Sequence, residues 1–144
     1  MREKHQSGIT IAAWLVGIAL SLAMPVMFEQ LAFGICPSPK IAHVPCSEAL
    51  FSLVHYAAVC LGAATGASAT VIFPVLVANH DSRCTVAVNG YLCGAMIAVL
   101  FMAIPSTPVR AACITALVAG LACVIVVFRD LGKGLESIFQ KVPP

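Results

Sequence analysis

Charge is what this sequence has least of. Only 10% of its 144 residues are Asp, Glu, Lys or Arg, where a soluble domain carries about 25%. So few charges cannot cover a water-facing surface, and a water-soluble globule is excluded. The net charge is +2 and no basic run exists, so nucleic acid is not an expected partner. No Cys-x-x-Cys occurs, which removes the commonest thiol redox motif. No His or Cys spacing fits a zinc or haem site. Phosphate loops, Ser/His/Asp arrangements and paired catalytic acids are missing too. No carboxylate lies near the middle of an apolar run, where a proton-coupled exporter needs one. No ring of acids or bases suggests a channel filter. The sequence therefore leans away from an enzyme, and no cofactor or metal is expected.

What fills the space is apolar. Hydrophobic residues make up 60% of the chain. Four uncharged runs carry most of them, at about 9–28, 49–78, 84–104 and 111–128. A helix needs about 20 apolar residues to cross a hydrocarbon core of about 30 Å. The alternation of a membrane β-barrel is missing, and lipid offers the backbone no hydrogen bonds. The chain is thus expected to be an all-α integral membrane protein: one domain, a bundle of four transmembrane helices. Residues 1–8 followed by Ser21-Leu22-Ala23 have a signal-peptide look. The apolar run continues past Ala23, so it is read as a retained span.

Basic residues set the expected orientation. Arg2, Lys4, Arg83, Arg129, Lys133 and Lys141 fall on one side, and Lys40 and Arg110 on the other. Both termini are then cytoplasmic, and the pattern suits a bacterial inner membrane. Beyond Phe128, Leu131, Leu135, Ile138, Phe139 and Val142 recur at helical spacing among Lys133, Glu136, Gln140 and Lys141. This predicts a short amphipathic helix over about 129–142, lying on the membrane surface or docking a partner.

In lipid, helices associate by close backbone approach, which small residues at every fourth position permit. Such ladders run through Ala13, Gly17 and Ser21; Ala58, Gly62, Gly66 and Thr70; Gly90, Gly94 and Ala98; and Ala112, Ala116 and Gly120. The pairs Gly62–Gly66 and Gly90–Gly94 are the strongest candidates, because glycine otherwise weakens a helix. Pro25 and Pro74 fall in or near spans, where each removes a backbone donor. Pro105 and Pro108 frame a short turn that makes spans three and four antiparallel neighbours.

Seven cysteines are present. Cys60, Cys84, Cys93, Cys113 and Cys123 lie in or at the edges of spans, where free cysteine acts as a small apolar residue. Cys36 and Cys46 flank the expected outer loop, stiffened by Pro37, Pro39 and Pro45. A disulfide capping spans one and two is expected there. A redox pair, or a metal site using His43, is a weaker reading.

Polar groups at membrane depth are few: Glu29, His55, Tyr56 and Asn89 are the candidates. Glu29 and His55 lie at similar depth and can face each other across the first hairpin, to carry a proton, hold a cation, or bind a quinone or lipid head group. The plainer reading places Glu29 at the interface and His55 on a backbone carbonyl. Asn89 is expected to join helices. The leading function is a small non-catalytic accessory subunit of a larger membrane complex, in contact with lipid and with a membrane-protein partner or a second copy. The alternatives are a small homodimeric transporter lined by Glu29 and His55, and a membrane thiol or quinone redox protein using Cys36 and Cys46.

Overall fold

The computed structural model describes residues 2–37, 46–79 and 82–139, with side chains over 8–37, 46–79 and 82–130. The loop positions 38–45, including Pro39, Lys40, His43 and Pro45, lie outside the described residues. The described residues form four helices: α1 (Arg2–Ile35), α2 (Glu48–Val77), α3 (Arg83–Met102) and α4 (Thr107–Phe139). Each is long and apolar enough to cross a membrane, over 28 residues of α1, 30 of α2, 20 of α3 and 24 of α4. At about 1.5 Å per residue, α3 matches a hydrocarbon core of about 30 Å, while α1 and α2 exceed it. The two longer helices must tilt or project beyond it.

Local chemistry fixes the helix ends. Ser47 caps α2, its hydroxyl accepting from the Leu50 amide at 3.3 Å, and Glu48 in the first turn faces the positive end of the helix dipole. Pro108 sits in the first turn of α4, where a missing amide proton costs nothing. The expected short C-terminal helix is not a separate element. α4 continues unbroken to Phe139, and Gln140 to Val142 lie outside the described residues. No proline interrupts residues 129–139, and extending a formed helix is easier than nucleating a new one.

Helix α2 is the centre of the molecule. It packs against α1, α3 and α4, and α3 also packs on α4, whereas α1 has no substantial packing with α3 or α4. Burial follows: 39% of the apolar window of α2 is buried, against 6% of that of α1. Small residues make the α1–α2 contact. A Cβ added at Gly17 would lie 2.9 Å from Cα of Thr70, and one at Gly62 would lie 2.6 Å from Cα of Pro25. A Cβ at Gly66 would press on Cα of Ser21. The three pairs advance by four along α1 while retreating by four along α2, as an antiparallel crossing requires.

The prolines add a second reason for these contacts. Pro25 and Pro74 have no amide proton, so the carbonyls of Ser21 and Thr70 lose their helical donors four residues on. Each carbonyl is met by a glycine of the neighbouring helix. A Cβ at Gly66 would come within 3.1 Å of the Ser21 oxygen, and one at Gly90 within 2.7 Å of the Thr70 oxygen. The bare glycine backbone approaches close enough for Cα–H to contact the released oxygen. Gly94 differs. Its nearest neighbour is the Thr70 hydroxyl at an ordinary 3.6 Å, so it is not needed for close approach.

A compact core of Val71, Ala87 and Val124, flanked by Val75, Val88, Tyr91 and Val127, closes α2, α3 and α4 together. It lies toward the end of the molecule that carries Arg83 and Arg129. In detergent, Gly62→Leu and Gly90→Leu should each lose about 3 kcal/mol through overpacking. Gly94→Ala should stay neutral or gain up to about 1 kcal/mol from helix propensity. Thermal unfolding of the three variants checks this, and equal midpoints would refute the close-approach account.

Candidate functional site

Three of the polar candidates, Glu29, His55 and Tyr56, lie toward the opposite end, which also holds the Cys36–Cys46 disulfide, whereas Asn89 lies toward the Arg83 end. That bond forms between cysteines whose Cα atoms are 5.8 Å apart, and it ties the end of α1 to the start of α2. Cys36 is fully buried. The other five cysteines carry free thiols.

Glu29 and His55 are not joined. No hydrogen bond or ion pair links them among the described residues, and Glu29 is half-buried within α1, six residues before its end. His55 stands instead among aromatic rings. Its centroid is 4.2 Å from Phe33, edge-on, and 4.2 Å from Phe51, tilted. Phe33 and Phe51 are themselves 6.0 Å apart. Phe51 precedes His55 by four residues and therefore shares its helix face; Phe33 arrives from α1. Buried Nε2 of His55 has no hydrogen-bond partner among the described residues, so the ring is used here as an aromatic body.

Tyr56 reaches across to α4. Its hydroxyl lies 2.8 Å from Oγ1 of Thr107 in the first turn of that helix. This tie between α2 and α4 had no signal in the sequence, because 51 residues separate the partners. Asn89 does not join helices within the chain. It is exposed on α3 and makes no hydrogen bond among the described residues.

Between α1 on one side and α3 and α4 on the other lies a cavity of about 260 Å³, with α2 as its floor. Pro25, Ala63, Gly94, Ala98, Ala112 and Ala116 are among its lining residues. Its few hydroxyls are turned away: Ser21 donates to the Ile18 carbonyl at 2.9 Å and Thr70 to the Ala67 carbonyl at 2.7 Å. The surface presented is thus carbon, with the Cys113 thiol as its most polarisable group. Neither Glu29 nor His55 lines it. Sequence reasoning missed this cavity. The available signal was the density of alanine and glycine in α2, α3 and α4, beyond what helix crossings consume.

Among the described residues, no three His, Cys, Asp or Glu side chains come together as a metal site. No protein-family model, curated protein or solved structure matches this chain.

Replacing His55 by phenylalanine removes an unpartnered nitrogen while keeping the ring. His55→Phe should hold or raise the thermal midpoint; a loss above about 1 kcal/mol would show that the nitrogen is bonded. Tyr56→Phe and Thr107→Val should each cost about 0.6 kcal/mol. The double variant should lose little more than either alone, which a double-mutant cycle measures.

Proposed function

We propose that the chain is a non-catalytic accessory subunit of a larger membrane assembly, binding a helix of another membrane protein along α3. Asn89 carries this reading. It lies six residues from the start of α3, about 9 Å along the axis at about 1.5 Å per residue, and its carboxamide is exposed without a partner among the described residues. Thr85, one turn earlier on the same face, is exposed as well. An amide left unpaired in hydrocarbon costs several kcal/mol, and a polar group from a neighbouring helix removes that cost. The broad apolar exposure of α3, including Leu92, Met96 and Val99, supplies the surrounding contact surface.

The basic residues support an arrangement with both termini in the cytoplasm of a bacterial cell and the disulfide on the oxidising side of the inner membrane. The extension of α4 past Phe128, with Lys133 and Glu136 among apolar residues, suits contact with the cytoplasmic membrane surface or with the same partner. A homodimer is the competing reading, because a carboxamide both donates and accepts and two Asn89 side chains can pair. The homodimeric carrier draws less support, since its polar candidates Glu29 and His55 lie outside the cavity.

Mild extraction from native membranes, with a photocrosslinker introduced on α3 beside Asn89, tests this. A heteromeric product of fixed stoichiometry is expected. Its yield should fall about threefold to twentyfold in Asn89→Leu, as loss of one interhelical bond implies, and recover in Asn89→Gln. The thermal midpoint of the isolated chain should not fall in Asn89→Leu. A product of twice the chain mass would favour the homodimer, and a lone monomer under the gentlest conditions would overturn both.

A further inference from the structure

We infer that the cavity between α1 and the α3–α4 pair is a binding site for one acyl chain of a bilayer phospholipid. The inference rests on the four helices spanning a membrane, and not on any protein partner at Asn89.

Size comes first. At about 260 Å³ the cavity is well above the roughly 150 Å³ at which an apolar cavity stays dry and takes up benzene. Open at its side, the cavity takes its occupant from its surroundings. Water is a poor occupant, because it needs two to four polar partners and the Ser21 and Thr70 hydroxyls are committed to their own helices. Hydrocarbon is what remains.

Shape and access select the kind of hydrocarbon. On α2 the lining runs from Val59 to Thr70, about 16 Å at about 1.5 Å per residue. That is the depth of one leaflet, half of a core of about 30 Å. The lining begins at Val109 and Phe101, near the ends of α4 and α3 that face the disulfide, and reaches mid-span at Gly94 and Ala116. The groove thus follows the path of a chain descending from the head-group level of that leaflet. Its side is open to lipid, because α1 has no substantial packing with α3 or α4. Leu22 and Val26, which form its α1 wall, are 49% and 56% exposed. A chain can therefore enter sideways while its head group stays at the surface. The free thiol of Cys113 marks the α4 wall of the trough.

The test uses the full chain in phosphatidylethanolamine–phosphatidylglycerol vesicles doped with a phospholipid carrying a diazirine on one acyl chain. After irradiation, labelled residues are mapped by peptide mass spectrometry. Adducts at Ile97, Val109 and Cys113 are expected to exceed those at the lipid-exposed positions Leu121, Ile125 and Val126 by fivefold or more. Ala112→Phe and Ala63→Phe, which fill the trough, should remove the excess and leave labelling at Val126 unchanged. The comparison within the unaltered chain decides the matter even if a filling variant fails to fold. Equal labelling of trough and outer faces would overturn the proposal. So would displacement of the trough label by added farnesol at a concentration where unlabelled phospholipid does not displace it.

Discussion

Everything in this fold hangs on how closely two backbones can approach α2. Two prolines each release a carbonyl that a helix would normally satisfy, at Ser21 and at Thr70. In hydrocarbon a released carbonyl has no water to turn to. The chain answers with glycine: Gly66 meets the first carbonyl and Gly90 the second. The same device that relieves a backbone deficit also sets the helix spacing, because any side chain there would push the helices apart. Thr70 concentrates this constraint. Its backbone is met by Gly17 from α1 and Gly90 from α3, and among the described residues it is the one polar residue that is buried.

From that crossing the molecule is asymmetric along its length. Toward Arg83 and Arg129, larger side chains such as Val71, Val124 and Tyr91 fill the space between α2, α3 and α4. Toward the disulfide, Ala63, Ala98 and Ala112 border a gap that they are too small to fill. Helix α1 does not close it, since its substantial packing is against α2. A tight end and an open end follow from where the large residues stand, and the disulfide and the Tyr56–Thr107 bond hold the open end in register.

The polar groups divide along the same lines. Hydroxyls within the spans mostly bond to carbonyls of their own helices, which makes them compatible with lipid without assigning them work. His55 is absorbed into an aromatic contact. Asn89 differs, because its exposed carboxamide makes no such bond to its own helix among the described residues. Partner binding along α3 and lipid binding in the trough are therefore proposed for different surfaces, one polar and helical, the other carbon-lined and concave.

Much of the architecture was legible in the residues. Four uncharged runs of sufficient length leave helices as the only backbone solution, and Cys36 and Cys46, ten positions apart across a proline-stiffened loop, are placed to bond. The ladder Gly17, Ser21 and Thr70, Gly66, Gly62 was legible as spacing, although spacing does not say which helix it meets. Gly94 shows the limit: it shares the pattern with Gly90 but faces only a side chain. The tertiary structure alone decided that α2 is central, that α1 stands apart from α3 and α4, and that a cavity opens between them. It also decided that Glu29 and His55 do not pair and that α4 runs on past Phe128. The physical reason is the same in each case. Composition and period report what a helix needs from its surroundings, and lipid and protein meet an apolar need equally well, so only the packed chain shows which of the two each face received.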